Sequence, residues 1–322
     1  MNVAIFGNYG VKNLGDDLIL SGLLAQLEEQ GFTAVVFCGF PEQARRQFGV
    51  EAHPFFPAGI RSAWKWFTSA SYRAELGDAY RALQNADRVL IGGGGIVVDR
   101  HFKAVLLWWR QLMAIRKSGK PYQFIANSLE LRHWWSRWLF KPYLAGAERI
   151  TVRDRASQAL LKSMNLPSEV VPDLALRPTL ASSAPEKKIC LALCRWGLKR
   201  SHLDALRSFC QQLQDQNYQL VGLAFQTFQD DDRQVFARLG LEIPVKFELS
   251  EVLAELSSAQ LLIGMRLHSL ILAEHFQTPT IAIAYQDKVK HFMEDREKES
   301  QVLHISDIDL DKLQQLFERL QG

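Results

Sequence analysis

The sequence predicts an α/β protein of two doubly wound domains, each built on an open parallel sheet. Short apolar runs typical of buried strands alternate with helical periodicity over residues 1–175, and the same alternation resumes over 188–322. Between them, a stretch with Pro178, Pro185 and neighbouring serines is typical of a linker, which we place at 176–187. A chain of 322 residues is long enough for each domain to bury its own core.

The composition is that of an ordinary globular protein, with 48% hydrophobic and 23% charged residues. A net charge of +3 without a long basic run gives no indication of a nucleic-acid partner. No apolar stretch reaches the roughly 18 residues of a spanning helix, and the N-terminus has no signal-peptide pattern, so we expect a cytoplasmic protein. The four cysteines lack CxxC spacing, which favours reduced thiols and no metal site.

The elements predicted for the first domain start from apolar runs and helical leucine spacing. In order they are strand 3–6, helix 17–30, strand 34–37, helix 73–83, strand 88–91, helix 102–117, strand 122–126, helix 134–144, strand 149–152 and helix 156–164. Residues 54–68, which include Trp64, Trp66 and Phe67, fit a loop lying over the sheet.

The second domain repeats the alternation. Its predicted elements are strand 189–194, helix 202–216, strand 219–225, helix 231–239, strand 245–247, helix 250–256, strand 259–264, helix 269–276, strand 280–284, helix 288–296 and helix 310–320. This succession is typical of a parallel sheet with crossover helices.

Near residue 265 an apolar strand runs directly into an apolar helix and places Arg266 and His268 at the turn. The N–H groups and positive dipole end of a helix attract anions, and a guanidinium beside an imidazole completes a phosphate or carboxylate clamp. The alternative is a structural ion pair for Arg266 and a helix-capping role for His268. Both residues are therefore candidates for an anion site.

Two glycine-rich stretches of the first domain follow predicted strands, at 7–16 and at 92–95. The first does not match GxGxxG, so no dinucleotide site is predicted there. Four consecutive glycines indicate a backbone that passes close to a ligand or to a neighbouring element. Asp16 is the best-placed carboxylate for proton transfer. The alternative for the first stretch is a tight turn whose asparagines bond the backbone and whose Asp16 caps the helix. The candidate substrate-binding residues are Asn8, Gly10, Asn13, Gly15, Gly93 and Gly94.

The strand-to-helix turns of an open parallel sheet all lie on its carboxyl edge, where ligands bind. We therefore expect polar residues from both domains to face one central cleft. Such a cationic group suits a small, multiply anionic ligand. For Arg153 the alternative is an ion pair with Asp154 that caps the next helix, and for Lys288 a solvated lysine. The cationic candidates are Arg153, Arg195, Arg266, His268 and Lys288.

The segment 132–141 is unusually rich in tryptophan and basic residues. It fits a peripheral contact with a membrane interface. More often, such a segment packs on its own protein, here with Trp134, Trp135 and Trp138 as a core-facing stripe.

Seven segments, in this order, resemble the polysaccharide pyruvyl transferase family over nearly the whole chain. They are GNYGVKNLGDD at 7–17, IGGGGIVVD at 91–99, ITVRDRAS at 150–157, Arg195-Trp196, AFQTFQDDD at 224–232, GMRLHSL at 264–270 and PTIAIAYQDKVKHF at 279–292. The resemblance implies two Rossmann-like domains of the glycosyltransferase-B type, with phosphoenolpyruvate as donor. The chain departs from the family pattern at two places. It has Asn127-Ser128 where a Gly-Pro element is usual, and Pro172-Asp173-Leu174 where Ala-Asp-Pro is common.

Carried over by position, the resemblance implies that Arg153, Arg266, His268 and Lys288 bind the donor and that Asp16 is the acid or base. It places the acceptor and Asp16 on the first domain and the donor on the second. Phosphoenolpyruvate is a co-substrate, and no cofactor or metal is expected. The acceptor is a sugar of a polysaccharide or of a lipid-linked precursor, which would bring the protein to the membrane surface.

The hypothesis that the resemblance implies is transfer of a pyruvyl group to two hydroxyls of a sugar, forming a cyclic ketal and releasing phosphate. Two alternatives stay open. One is a glycosyltransferase of the same architecture that uses a nucleotide sugar, since a fold does not fix function. The other is an inactive glycan-binding or scaffold protein.

Overall fold

The structure is a computed structural model and describes residues 1–175, 182–228 and 230–321, except for the side chains of 60–63. The chain forms two compact units. One holds Met1–Val11 with Asp16–Leu174, and the other holds Lys12–Gly15 with Ala175–Gly322. Of the predicted linker 176–187, residues 176–181 lie outside the described part of the chain.

The first unit is built on a seven-stranded, fully parallel sheet with the order β3-β2-β1-β4-β5-β6-β7. Its strands are β1 (Asn2–Phe6), β2 (Thr33–Cys38), β3 (Glu51–Pro54), β4 (Arg88–Val98), β5 (Tyr122–Glu130), β6 (Arg149–Val152) and β7 (Glu169–Val170). Its helices are α1 (Leu14–Glu29), α2 (Pro41–Phe48), α3 (Ile60–Thr68), α4 (Ala70–Asn85), α5 (Phe102–Ser118), α6 (Trp134–Ala145) and α7 (Arg155–Ser163). The first two residues of α1 group with the second unit.

Helices α4 to α7 pack on one face of this sheet. Their buried side chains, such as Leu83, Trp108, Phe140 and Leu161, form one apolar cluster with alternate residues of the strands. Because successive strand residues point to opposite faces, Ala4 and Phe6 of β1 join this cluster and Ile5 between them does not. The sheet is thus covered by a layer of helices whose outer sides are available to solvent or partners.

The second unit has a six-stranded parallel sheet with the order β10-β9-β8-β11-β12-β13. Its strands are β8 (Glu186–Ala192), β9 (Gln219–Leu223), β10 (Val245–Lys246), β11 (Ala259–Gly264), β12 (Thr280–Ala284) and β13 (Val302–His304). Its helices are α8 (Arg200–Asp215), α9 (Arg233–Leu239), α10 (Leu249–Ser257), α11 (Leu267–Phe276), α12 (Asp287–Glu294) and α13 (Leu310–Gln321). In both sheets the first strand lies in the middle, and later strands are added first on one side of it and then on the other. This strand order is typical of doubly wound α/β domains.

Two predicted strand ends were wrong because the strands run further. The strand before the glycines at 92–95 is predicted to end at residue 91, yet β4 continues to Val98. Gly92, Gly94 and Gly95 keep the ladder with β5, which is itself four residues longer than predicted. Both strands therefore carry their last residues further along the carboxyl edge than the apolar pattern indicated.

Other differences concern helix starts and short elements. Residues 60–68, predicted as loop, form α3. Helix α1 begins at Leu14, three residues early, where the side chain of Asn13 accepts a hydrogen bond from Gly15 N. Helix α11 begins at Leu267, so His268 lies in its first turn. Strands β3, β7 and β13 and helix α2 were not predicted.

In the described part of the chain, no helix combines the length and apolar character needed to cross a membrane.

Candidate active site

Arg266 and His268 stand at the start of α11, directly beyond the carboxyl end of β11. Arg266 is the N-cap of this helix, and His268 is its second residue. No acidic residue occupies the first turn. Cations near a helix N-terminus oppose the helix dipole, whereas an anion there is stabilised. This helix start thus combines peptide dipole and side-chain charge of the same sign.

The guanidinium of Arg266 forms a fork with the carboxylate of Asp232. Nε donates to Oδ2 at 3.1 Å and Nη2 to Oδ1 at 2.5 Å, and the Asp232 side chain is almost fully buried. Burial opposes the charged guanidinium, but the carboxylate outweighs it and raises the pKa of Arg266. Arg266 is therefore charged and held in one orientation.

Asp232 is a residue that the sequence analysis did not assign. Its Oδ2 also accepts from Gln226 N at 3.0 Å, and its own N–H donates to Gln226 O at 2.8 Å. These bonds fold the loop after β9 back on itself. The signal was present in the motif at 224–232, but sequence alone does not say which of its three consecutive aspartates faces Arg266.

The segment Lys12–Gly15 belongs to the second unit and carries part of the predicted glycine-rich loop. Leu14 N donates to Phe225 O at 2.9 Å, and Thr227 N donates to Lys12 O at 3.1 Å. Between them, Asn13 and Gln226 form an isolated antiparallel β-bridge. A methyl group on Gly15 would lie 1.9 Å from Nδ1 of His268. Glycine at 15 is therefore required by the imidazole that packs against it.

Arg195 and Lys288 follow two other strands of the second sheet. Arg195 pairs with Asp230 and lies over the ring of Trp196, 5.4 Å from the ring centroid. Lys288 is exposed in the first turn of α12, which follows β12. Because β11 and β12 are paired in parallel, Lys288 and His268 begin helices at the same edge of one sheet. Donor binding by these residues stays a prediction.

In the first unit, Asp16 and Asp17 have different surroundings. Asp17 is buried and accepts from Gly10 N at 3.4 Å and from Gln47 Nε2 at 3.1 Å, and burial raises the pKa of its carboxyl. Asp16 is half-buried, and a methyl group on Gly94 would lie 3.1 Å from its Oδ1. Asp17 thus fixes the loop, while Asp16 faces the carboxyl edge of β4.

The glycine run is explained by close neighbours. A methyl group on Gly92 would lie 2.5 Å from the hydroxyl of Tyr9, which donates to Gly92 O at 3.0 Å. A methyl group on Gly93 would lie 2.1 Å from Ile19 of α1. Gly93 and Gly94 also have positive φ angles, of 51° and 75°. Gly92 and Gly93 therefore admit neighbouring side chains, and Gly94 admits the carboxylate of Asp16.

Of the other candidates in the first loop, Gly10 has a φ of 74° and lies against the backbone of Phe40. Asn8 is half-buried. Asn13 makes the backbone hydrogen bond that the alternative interpretation of the loop predicted.

Arg153, directly after β6, is buried in a polar network. Its Nη1 donates to Asp173 at 2.6 Å and its Nε to Ser128 Oγ at 2.7 Å. Ser128 in turn donates to Asp154, which caps α7 by accepting from Ser157 N at 2.7 Å. Asp154 therefore caps the helix as the structural alternative predicted, but the ion pair of Arg153 is with Asp173.

Two buried amide oxygens at the carboxyl edges have no hydrogen-bond partner within the described ranges. One is Oδ1 of Asn127 in β5, whose Nδ2 donates to Ile91 O at 2.8 Å. The other is Oε1 of Gln286, the N-cap of α12. An unpaired buried acceptor costs about 1–3 kcal/mol, so such atoms are places where a hydroxyl-bearing ligand or water is expected.

Over residues 1–175, 182–228 and 230–321, histidines, cysteines and carboxylates form no group of three that could hold a metal ion.

The sequence matches the family model described as polysaccharide pyruvyl transferase over residues 13–287. The chain belongs to this family. The transferase is thus an enzyme that acts on polysaccharide, and its acceptor is a sugar or glycan. The match includes the segments that carry Asp16, Arg153, Arg266 and His268, and it ends one residue before Lys288. A search of curated proteins gives no significant match.

Solved structures similar to the transferase are sugar-nucleotide epimerases and glycosyltransferases. A putative UDP-N-acetylglucosamine 2-epimerase from Listeria monocytogenes aligns with a TM-score of 0.67 and 11% identity, over 99% of this chain and 87% of that one. MurG from Acinetobacter baumannii aligns at 0.54 and 14%, over 100% and 90%. The E. coli heptosyltransferase WaaC with ADP aligns at 0.54 and 16%, over 99% and 100%. At these identities the likeness confirms the fold, two Rossmann-like domains as in glycosyltransferases of the B type.

Proposed function

We propose that the transferase moves a pyruvyl group from phosphoenolpyruvate to two hydroxyls of one sugar, forming a cyclic ketal and releasing phosphate. The observation that supports this most is the pair of helix starts on the second sheet. Arg266 and His268 lie at the start of α11, Lys288 lies in the first turn of α12, and the strands before these helices are adjacent. Two helix dipoles and three cationic or protonatable side chains on one sheet edge suit a compact phosphate-and-carboxylate ligand.

In this proposal Arg266, His268, Lys288 and Arg195 bind the donor. Asp232 holds the Arg266 fork, so the guanidinium is oriented before the donor arrives. Arg153 is assigned to the donor by its place in the family pattern, and its network with Ser128 and Asp173 would fix its position. The protein's cations would offset the charge of the leaving phosphate, and no cofactor is proposed.

The chemistry consists of additions at the two alkene carbons of the donor. A general acid, which we assign to Asp16, delivers a proton to the methylene carbon and makes it a methyl group. Positive charge then develops on the carbon that bears the phosphate, and the first sugar hydroxyl bonds there. The phosphate leaves with its bonding electrons, and the second hydroxyl closes the ring. One hydroxyl proton restores the acid, and the other leaves with the phosphate.

The unpaired amide oxygens of Asn127 and Gln286 support an acceptor with hydroxyl groups. Phosphoenolpyruvate carries few hydrogen-bond donors, whereas every free sugar hydroxyl can donate to an amide oxygen. We therefore assign the amide oxygen of Asn127, in the unit that carries Asp16, to sugar recognition.

The second candidate is transfer of a sugar from a nucleotide sugar. It is favoured by the likeness to a Neisseria meningitidis epimerase bound to UDP-GlcNAc, at a TM-score of 0.56 and 11% identity. That likeness concerns the fold, which hosts several chemistries.

The experiment that separates the candidates compares the melting temperature with phosphoenolpyruvate and with a panel of nucleotide sugars. A ligand that binds the folded state at 100 times its Kd stabilises it by about 2.7 kcal/mol. We expect a shift with phosphoenolpyruvate that is lost in Arg266→Ala. A shift with a nucleotide sugar alone would refute the donor assignment.

A further inference from the structure

Several large aromatic side chains of the first unit are exposed on one layer of helices. Trp134 and Trp138 of α6 are 79% and 75% exposed, Phe102 of α5 is 71% exposed, and Trp64 and Phe67 of α3 are 70% and 72% exposed. Single exposed apolar residues are ordinary, but a group of large aromatics indicates an interaction surface. We call these five residues and the exposed basic residues beside them the aromatic surface.

Helix α6 shows that this exposure follows a helical face. Trp134, Arg137, Trp138 and Lys141 are all exposed and recur at helical spacing. The opposite face buries Phe140 and Leu144 in the core of the unit. The core-facing stripe considered from the sequence is therefore wrong for Trp134 and Trp138, since only Trp135 packs against the core.

The starts of α5 and α6 are tied together. Asp99, just before α5, accepts from the backbone N of His133 at 2.8 Å and from Ser136 Oγ at 2.6 Å. Glu130, before α6, pairs with Arg100 at 2.5 Å. Phe102 and Trp134, the first residues of the two helices, are therefore held on neighbouring elements at the carboxyl edge of the sheet.

Helix α3 joins the same layer. A methyl group on Gly59, its N-cap, would lie 4.0 Å from Leu106 of α5. Phe55, before α3, packs edge-on against Trp108 of α5, with ring centroids 5.4 Å apart. The chain that leads into α3 thus runs along α5.

The charged side chains of these helices are all basic. Helices α3, α5 and α6 contain no Asp or Glu, and each contains at least two Lys or Arg. Helix α4, of the same layer, balances Arg73 and Arg81 with Glu75 and Asp78. The whole chain is nearly balanced as well, at 38 basic and 35 acidic residues. The exposed basic residues beside the aromatics are Lys65, Lys103, Arg137 and Lys141, whereas Arg132 pairs with Glu130.

We propose that the aromatic surface docks the transferase on the headgroup region of a bilayer that contains anionic lipids. Tryptophan is suited to this boundary because its ring is apolar and its N–H is polar. Lysine and arginine without nearby carboxylates complement anionic headgroups. The core of a protein interface is depleted of charge, whereas on α6 Arg137 and Lys141 alternate with the two tryptophans.

Docking by this surface places the carboxyl edge of the first sheet toward the bilayer, because α5 and α6 both begin there. An acceptor sugar carried by a lipid would then be presented to the edge that holds Asp16. This last consequence rests on the proposed transfer to a sugar, whereas the docking itself does not.

The test is co-sedimentation of the full chain with vesicles of phosphatidylcholine, with and without phosphatidylglycerol. We expect binding to the anionic vesicles, weaker binding to neutral ones, and release at high salt because exposed charges are screened. Brominated lipids should quench part of the tryptophan fluorescence of the bound protein. Equal binding to neutral vesicles, or no binding to anionic ones, would overturn the proposal.

Matched variants assign the binding to the surface. Trp134→Ala/Trp138→Ala should lower the partition coefficient at least about tenfold, while Tyr80→Ala, an exposed aromatic on α4, should leave it unchanged. Lys141→Glu should lower it about tenfold, while Lys162→Glu on α7 should not. The melting temperatures of all these variants should match that of the parent, since the five substituted positions are exposed. Unchanged binding of the tryptophan variant would refute the assignment.

Two further measurements keep the proposals apart. The first is the oligomeric state by light scattering. A dimeric parent and a monomeric tryptophan variant, neither of which binds vesicles, would mean that the surface binds a second copy of the chain. The membrane proposal would then fail. The phosphoenolpyruvate-induced thermal shift should persist in the tryptophan variant. If the parent protein shows no such shift but still binds vesicles, the proposed function is contradicted and the docking proposal is not.

Discussion

At the scale of single residues, the consecutive aspartates 16 and 17 serve different ends. Asp17 is buried under two hydrogen bonds to the loop and α2, whereas Asp16 is half-buried at the carboxyl edge. We expect Asp16→Asn to keep the melting temperature and to lower kcat by about 10² or more.

Asp17→Ala is the matched comparison. It should lower the free energy of unfolding by about 1–3 kcal/mol, because Gly10 N and Gln47 lose a buried acceptor. Its kcat, measured below the melting temperature, should stay close to that of the parent. Full turnover of Asp16→Asn would show that another group transfers the proton.

Arg266 combines a structural contact with a proposed donor contact. Arg266→Lys keeps the charge but cannot form the fork with Asp232 or a second fork with a phosphate or carboxylate. Loss of one charge-assisted hydrogen bond to the donor, about 1.5–3 kcal/mol, should raise the donor KM about tenfold or more.

Asp232→Asn provides the control for Arg266, because it loosens the guanidinium without removing it. We expect a lower melting temperature in both variants and a larger loss of donor affinity in Arg266→Lys. Unaltered donor KM and kcat in Arg266→Lys would leave Arg266 with only its structural role.

At the scale of elements, the pairing of β11 with β12 underlies the proposed sharing of one anion by His268 and Lys288. Each alanine variant should weaken donor binding, and the double variant should lose less than the sum, since contacts to one anion couple. Lys290→Ala on the same helix, where the lysine lies 3.5 Å from Glu294, should have little effect. Additive losses across the cycle would mean that the two residues do not share a ligand.

Three strands could be predicted from the sequence to the residue. Strands β6, β11 and β12 have the predicted limits because they are short apolar runs between helices. Strands β3, β7 and β13 lie at sheet edges and have two to four residues, too few for a pattern. The extension of β4 was missed because glycines carry no side-chain periodicity, and their pairing with β5 is set by the fold.

The candidate site was only partly predictable for a related reason. The position of Arg266 and His268 beyond β11 follows from one strand and one helix that are adjacent in the sequence. The partners Asp232 and Asp173 lie 34 and 20 residues away from the arginines that they hold. Such pairings depend on where loops fold back, which a single sequence does not encode locally.

At the scale of the whole molecule, the four cysteines Cys38, Cys190, Cys194 and Cys210 are buried and free of disulfides. Burial raises the pKa of Cys38 to about 11 and that of Cys190 and Cys210 to about 12, and it raises the pKa of Cys194 as well. Raised values lower the thiolate fraction at pH 8, and the thiolate is the reactive form.

We therefore expect the native protein to take up no iodoacetamide at pH 8 and the unfolded protein to take up four equivalents, as measured by mass spectrometry. Tyr80→Cys, with an exposed position, should react in the native state and verify the conditions. Native-state labelling at any of the four cysteines would show that its part of a core opens on the timescale of the reaction.

The contact between Gly15 and His268 has a consequence for genetic selection. A methyl group at 15 would require the imidazole to move, so Gly15→Ala should reproduce the phenotype of a lost His268 although residue 15 has no chemistry of its own. Replacing His268 with a smaller side chain in the Gly15→Ala variant should then restore folding. It should not restore the activity that is proposed to depend on His268. A screen for revertants of Gly15→Ala should therefore recover changes back to glycine at position 15. Positions 15 and 268 should accordingly change together or not at all.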